Sequence, residues 1–191
     1  MAVALALLSP VVGSWQAVAA TCDGKLTTCA IGDTGPGGGA VFYDAGSAKK
    51  WGRYLEVAPA GWSGSRVDPT AQWCPGSKGY TVPGTKTDIG AGPANTRKLL
   101  AACSKDGAAA RAAAYRGGGK PDWFLPSRDE AIALLMHRSV LAGLDGSLFW
   151  TSSQADDFDP DYAAFIRLGD GFEGGIGSKG LSFGVRPIRA F

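Results

Sequence analysis

"DWFLPSRDEAIALLMHR", Asp122 to Arg138, carries the clearest local signal in the sequence. Ser127 followed three residues later by Glu130 has the form of a capping box. In that motif the serine hydroxyl takes the Glu130 amide and the carboxylate returns to the serine amide. Ile132, Leu135 and Met136 supply one apolar stripe, so a helix is expected to start at Ser127. Trp123, Phe124 and Leu125 just before it read as core anchors. Asp129 and Glu130 also invite a reading as paired catalytic carboxylates. Capping already explains Glu130, and Asp129 suits the positive end of a helix.

Working outward, "NTRKLLAAC" and "GAAARAAAY" predict one broken helix or two short ones from about Asn95 to Tyr115. Asn95 or Thr96 would cap the start, and Gly117 to Gly119 would end it. On either side the pattern changes to strands. "GGGAVFYDAG" (Gly37 to Gly46) and "RYLEVAPA" (Arg53 to Ala60) form an expected hairpin, and "SLFWTSS", "YAAFIRL" and "SFGVRPIRAF" follow the helices. Strands, then helices, then strands predict an α+β domain with two to three helices and long loops. Its N- and C-terminal strands are expected to meet in one antiparallel system. Residues 61–93, rich in Gly, Pro, Ser and Thr, form a loop of the length that is usually functional or stapled.

At 191 residues the chain fills one domain. The formal charge is +2 and the basic residues are scattered, which argues against a nucleic-acid partner. Glycine, at 29 residues, is about twice the usual share of roughly 7% and points to many tight turns. Residues 1–20 resemble a secretory signal, with an apolar run from Ala2 to Leu8 and Ala17 and Ala19 as the cleavage site, although a basic n-region is missing. The mature domain is then 21–191, secreted or at the cell surface, with nothing later apolar enough to insert in a membrane. Four cysteines behind a signal suggest two disulfides out of three possible pairings. Cys22–Cys29 is favoured by its short loop, which leaves Cys74–Cys103.

Four stretches in order carry a family resemblance: "IGDTGPGGGAVFY", "DWFLPSRDE", "FWTSSQ" and the terminal "GVRPIRAF". "IGAGPANTRKLLAAC" and "QWC" fit the same pattern. Together, over about residues 31–191, they resemble the C-terminal domain of the Legionella collagen-like adhesin, a secreted bacterial family of unknown function. The resemblance implies a C-type-lectin-like fold, related to that of the formylglycine-generating enzyme, with ligand recognition on the rim of C-terminal strands and loops. It also implies a homo-oligomer, a trimer in the adhesin. Residues 1–30 contain no collagen repeat, a departure from the adhesin's pattern.

Catalysis lacks its usual parts. His137 is the only histidine, "GWSGS" misses the nucleophile-elbow pattern, and the last cysteine precedes the C-terminal strands, unlike those of the formylglycine-generating enzyme. "GDGFEG" (Gly169 to Gly174) matches a phosphate-loop pattern but reads as a hairpin loop, because no helix follows. Arg186 and Arg189 are expected to pair with buried carboxylates and fasten the last strand.

"SSQADDFDPDYAAF" (Ser152 to Phe165) is the expected ligand-reading stretch. Its four aspartates are Asp156, Asp157, Asp159 and Asp161. It fails the EF-hand template at Tyr162 and Leu168, but Asp157, Asp159 and Asp161 leave a looser calcium site open. Asp and Pro together also describe a plain solvated turn. By the resemblance, the rim comprises Gln154, Asp156, Asp157, Phe158, Asp159, Asp161, Tyr162, Arg167, Phe172, Glu173 and Lys179. Flat aromatic faces beside directional polar groups suit a glycan or a cell-surface protein. The expected function is a non-catalytic, adhesin-like binding module without an obligate cofactor. A structural subunit of an extracellular assembly and an enzyme on the related fold are the alternatives.

Overall fold

The last strand sits against the second, and this closure organises the molecule. The computed structural model describes residues 22, 28–76, 81–138, 147–155, 159–168 and 172–191. Strand β1 (Ala40–Lys49) forms an antiparallel hairpin with β2 (Gly52–Val57), as its sequence predicts. β8 (Ile188–Ala190) then pairs with the free side of β2. Phe124 exchanges backbone hydrogen bonds with Ile188 at 2.9 and 3.0 Å, so the "WFL" anchors extend the same closure.

A second sheet holds the other strands. They are β3 (Thr70–Gln72), β4 (Ser147–Gln154), β5 (Tyr162–Leu168), β6 (Phe172–Ser178) and β7 (Ser182–Gly184), in the order β3-β7-β4-β5-β6. All neighbours are antiparallel except β4 and β7, which meet in parallel at Phe149 and Gly184. The domain is therefore α+β, but with two sheets rather than the single antiparallel system expected. The first sheet packs on α3, and the second packs on α3 with one face and on α1 and α2 with the other.

Helices α1 (Gly92–Ala102), α2 (Ala108–Ala114) and α3 (Arg128–Met136) fill the middle of the chain. The capping box on α3 forms in full: Ser127 Oγ accepts the Glu130 amide at 3.3 Å, and Glu130 Oε2 accepts the Ser127 amide at 2.7 Å. The stripe it buries is Ala131, Leu134 and Leu135 rather than Ile132, Leu135 and Met136. Met136 is 74% exposed, because the helix ends there and its last side chain overhangs the core. The buried face packs on Phe42, Leu55, Phe149, Ile166 and Ile188 between the sheets. The alanine-rich α2 packs on a second core with Trp73, Leu99, Leu125 and Trp150.

Helix α1 departs from expectation at its start. It begins at Gly92 with Pro93 in its first turn, where a missing amide costs nothing. Asn95 and Thr96 are buried inside the helix and their side chains are committed elsewhere.

Both disulfides are present as Cys22–Cys29 and Cys74–Cys103. The second spans 29 residues and ties the end of β3 to the end of α1. Replacing both cysteines of this bridge by alanine is expected to lower stability by roughly 2–4 kcal/mol, mainly by freeing the unfolded chain. Urea unfolding of the double variant against wild type measures this; a loss below about 1 kcal/mol would show that the bridge constrains little.

Candidate functional site

The polar run "TSSQ" at the end of β4 points inward, not outward. Thr151, Ser152, Ser153 and Gln154 are all buried. The side chains of Ser153 and Gln154 hold the chain segment from Val82 to Lys86 by its backbone, while Thr151 Oγ1 donates to Ala164 O and Ser152 Oγ to Pro126 O. Gln154 Oε1 accepts the Val82 amide at 2.7 Å, and Thr85 Oγ1 accepts the Gln154 amide at 2.9 Å. Ser153 Oγ donates to Lys86 O at 2.8 Å. Asn95 closes the clamp from α1, accepting the Lys86 amide at 2.9 Å and donating to Lys86 O at 2.7 Å. A loop without regular structure is thereby fixed by buried and part-buried hydrogen bonds, each worth about 1 kcal/mol net.

The capping box extends the clamp. Ser127 Oγ donates to Asp88 O at 2.8 Å, and the Asp129 amide donates to Thr87 O at 2.9 Å. Glu130 Oε1 accepts the Gly90 amide at 2.8 Å and the Gly92 amide at 3.4 Å. One carboxylate thus joins the α3 cap, the loop and the start of α1. Burial, the largest influence, raises its pKa above the ordinary carboxylate value against the pull of these hydrogen bonds.

The fixed loop walls a cleft of about 890 Å³. Thr85, Lys86, Thr87 and Asp88 form one side, Arg128 and Ile132 of α3 another. The floor is the middle of the β5–β6 hairpin, from Ala164 to Ile166 and from Gly174 to Ile176, and Gln154 and Ala155 close one end. Lys86, Asp88 and Arg128 are exposed, and Arg128 Nε donates to Asp129 Oδ1 at 3.1 Å. The cleft therefore offers mixed charge over an apolar floor, a combination suited to holding a ligand of intermediate size.

The expected rim residues flank this cleft more than they line it. Asp159 and Asp161 form a turn, in which the Asp161 amide donates to Asp159 Oδ1 at 2.8 Å. Lys179 is buried beneath them: its Nζ donates to Gln154 Oε1 at 2.6 Å and to Pro160 O, and stands 4.5 Å from the centre of the Trp73 ring. Gln154 and Lys179 therefore support the acidic turn from within, contrary to their expected place on the exposed rim. Tyr162 opens β5 and Arg167 lies near its other end, roughly 17 Å away at about 3.3 Å per residue. Phe172 and Glu173 open β6 opposite Leu168 and Arg167. The hairpin thus separates Arg167, Phe172 and Glu173 from the acidic turn.

Asp156, Asp157 and Phe158 lie outside the described residues, and with Asp157 so does part of the calcium set. Among the described residues no three His, Cys, Asp or Glu side chains converge to hold a metal. Of "GDGFEG", read as a hairpin loop, Phe172 to Gly174 begin β6, which pairs back on β5, and residues 169–171 lie outside the described residues.

Apart from Glu130, the carboxyl and phenol groups whose pKa burial raises lie away from the cleft. Glu56 is fully buried, its carboxylate accepting the Gly37 and Gly39 amides at 2.9–3.0 Å and Arg189 Nη1 at 2.8 Å. Burial raises its carboxyl above the ordinary value. Burial also raises Tyr115, whose ring stands edge-on to Trp62 and Trp123. Arg189 Nε reaches Asp122 at 2.6 Å, and Arg186 pairs with Asp68, so the terminal arginines fasten the last strand as expected. His137 caps the end of α3.

Sequence reasoning missed the wall from Thr85 to Asp88, together with Arg128 and Ile132. The available signal was the long Gly/Thr-rich loop facing a row of small polar residues in "TSSQ". Two disulfides fit an oxidising, extracellular location. Among the described residues no helix is long and apolar enough to cross a membrane. No family model matches the chain, and no curated protein matches it.

Proposed function

We propose that this chain is a secreted or cell-surface binding module that recognises a glycan or a protein without catalysis. It would belong with the C-terminal domain of the collagen-like adhesin and share its C-type-lectin-like fold. The carrying observation is the cleft beside the acidic turn, whose wall is preset by part-buried hydrogen bonds from β4, α1 and the α3 cap. A wall ordered in advance reduces the entropy lost on binding. The groups with raised pKa are meanwhile committed to internal networks, which favours recognition over acid–base chemistry. The resemblance contributes the assignment of recognition to the C-terminal strands and loops, and calcium enters as a variable through Asp159 and Asp161.

A glycan array and a random-peptide display library, probed with the disulfide-intact protein with and without calcium, test this. Saturable binding is expected to at least one of them. The Arg128→Ala, Lys86→Ala double variant should bind about tenfold more weakly at an unchanged melting temperature, because both side chains are exposed. Folded protein that binds neither collection would sink the reading.

A further inference from the structure

Among the described residues, the outer edge of the second sheet carries few of the devices that keep such edges apart from other chains. β6 ends the sheet order, and its sequence "FEGGIGS" contains no Lys and no Pro. Its pairing with β5 runs through seven consecutive partners, Tyr162↔Ser178 to Leu168↔Phe172, without a register shift. Natural edges are commonly blunted by lysine, proline, bulges or shortness, and this one has none of the first three.

The direction of its free backbone groups follows from one hydrogen bond. The Lys179 amide donates to Asp161 O at 2.9 Å, so positions 161 and 179 form a hydrogen-bonded pair. Antiparallel ladders alternate, which makes 163/177, 165/175 and 167/173 the bonded pairs. The amides and carbonyls of Gly174 and Ile176 therefore point away from β5. Among the described residues the one backbone bond on that outer side is from the Leu181 amide to Ser178 O, at the end of the strand.

The two faces of β6 differ in the same alternation. A side chain at Gly175 would lie 2.8 Å from the Phe165 ring, and one at Gly177 3.0 Å from Phe183, so on that face glycine lets the aromatic core approach the strand. Gly174 and Ile176 lie on the opposite face and belong to the floor of the cleft, with Ile176 40% exposed. Open main-chain edge and cleft floor are thus the same residues. Glycine in a strand also suits close approach by another backbone.

We propose that β6 is a docking edge for an extended polypeptide segment, which adds as a sixth strand beside Gly174 and Ile176. Alternate side chains of that segment then enter the cleft between Ile176, Ile132 and Arg128. Main-chain bonds to the edge supply affinity and the cleft supplies selection. This rests on the binding-module reading above and narrows its ligand to a protein with an extended, partly apolar segment.

The test uses the full disulfide-intact chain and peptides selected from a random-sequence phage library. Ile176→Pro removes an outward amide without touching a bond to β5, and Ile176→Ala keeps that amide while removing the same side chain. Ile176→Pro is expected to bind a selected peptide about tenfold more weakly than Ile176→Ala, with equal melting temperatures. N-methylation along the bound peptide should abolish binding at every second residue only. Equal affinities of the two variants, or N-methylation effects without alternation, would overturn the proposal. So would saturable glycan binding with no peptide selected, an outcome that leaves the binding module itself standing. Failure of glycans and peptides alike ends both readings. A wild-type dimer by sedimentation that Ile176→Pro converts to monomer makes the occupant a second copy of this chain and overturns the peptide assignment.

Discussion

Glu130→Ala is expected to cost the fold about 3–5 kcal/mol, against a typical domain stability of about 5–15 kcal/mol. The amides of Ser127, Gly90 and Gly92 lose their acceptor together, and a buried unpaired donor costs about 1–3 kcal/mol. Alanine brings no replacement, and a cavity adds to the loss. Glu130→Gln should recover less than half, because its amide group would face either the Ser127 amide or the Gly90 amide, donor against donor. Urea unfolding gives the magnitude. A loss under about 1 kcal/mol would show that water or a neighbour takes over the three amides. The same variant should also lose hydrogen-exchange protection at Gly90 and Gly92 before the core does, since this carboxylate accepts their amides.

Glu56→Ala is expected to cost about as much, roughly 3–5 kcal/mol, through a different part of the molecule. It strands the Gly37 and Gly39 amides and leaves Arg189 paired with the exposed Asp122 alone. Its local signature should be loss of protection in the turn at Gly35 to Gly39 and in β8, with the cleft loop unaffected. Glu56→Gln, which cannot titrate, isolates the charge. Burial lifts the Glu56 pKa, so the folded chain holds this proton more tightly than the unfolded chain does. The resulting stabilisation is complete below the unfolded value of about 4.3 and is lost as pH rises through the folded value. Wild type should therefore gain stability relative to Glu56→Gln as pH falls through the folded value toward about 4.3. A constant gap would contradict the direction of the shift.

What could be read in the sequence was local, or written in residue types that admit few partners. The Ser127–Glu130 box works at a spacing of three residues, so it formed as expected. Arg186 and Arg189, next to a terminal strand, had to find carboxylates, and Asp68, Glu56 and Asp122 supply them. β6 escaped because "FEGGIGS" has no apolar alternation and glycine disfavours strands. Its extended form goes with the rings of Phe165 and Phe183 packed on its glycines, an instruction written elsewhere in the chain. The cleft wall escaped for a related reason. Lys86 is held by Asn95 and Ser153, 9 and 67 residues away, and no pattern within the loop announces it. Asn95 looked like a helix cap for the same cause: its side chain is specified by a distant backbone.

The pairing of β2 with β8 also sets the order of events in folding. Glu56 meets Arg189 across 133 residues of sequence, and β2 has its second neighbour only when residues 188–190 arrive. Helix α3 can form early, from its own cap. The sheet that receives it cannot close until nearly the whole chain is available. Such long-range closure makes folding slow, with the β1–β2 hairpin waiting half-covered. A domain that stays open until residues 188–190 appear remains threadable while the residues before them are made. Export across a membrane before folding asks for that property.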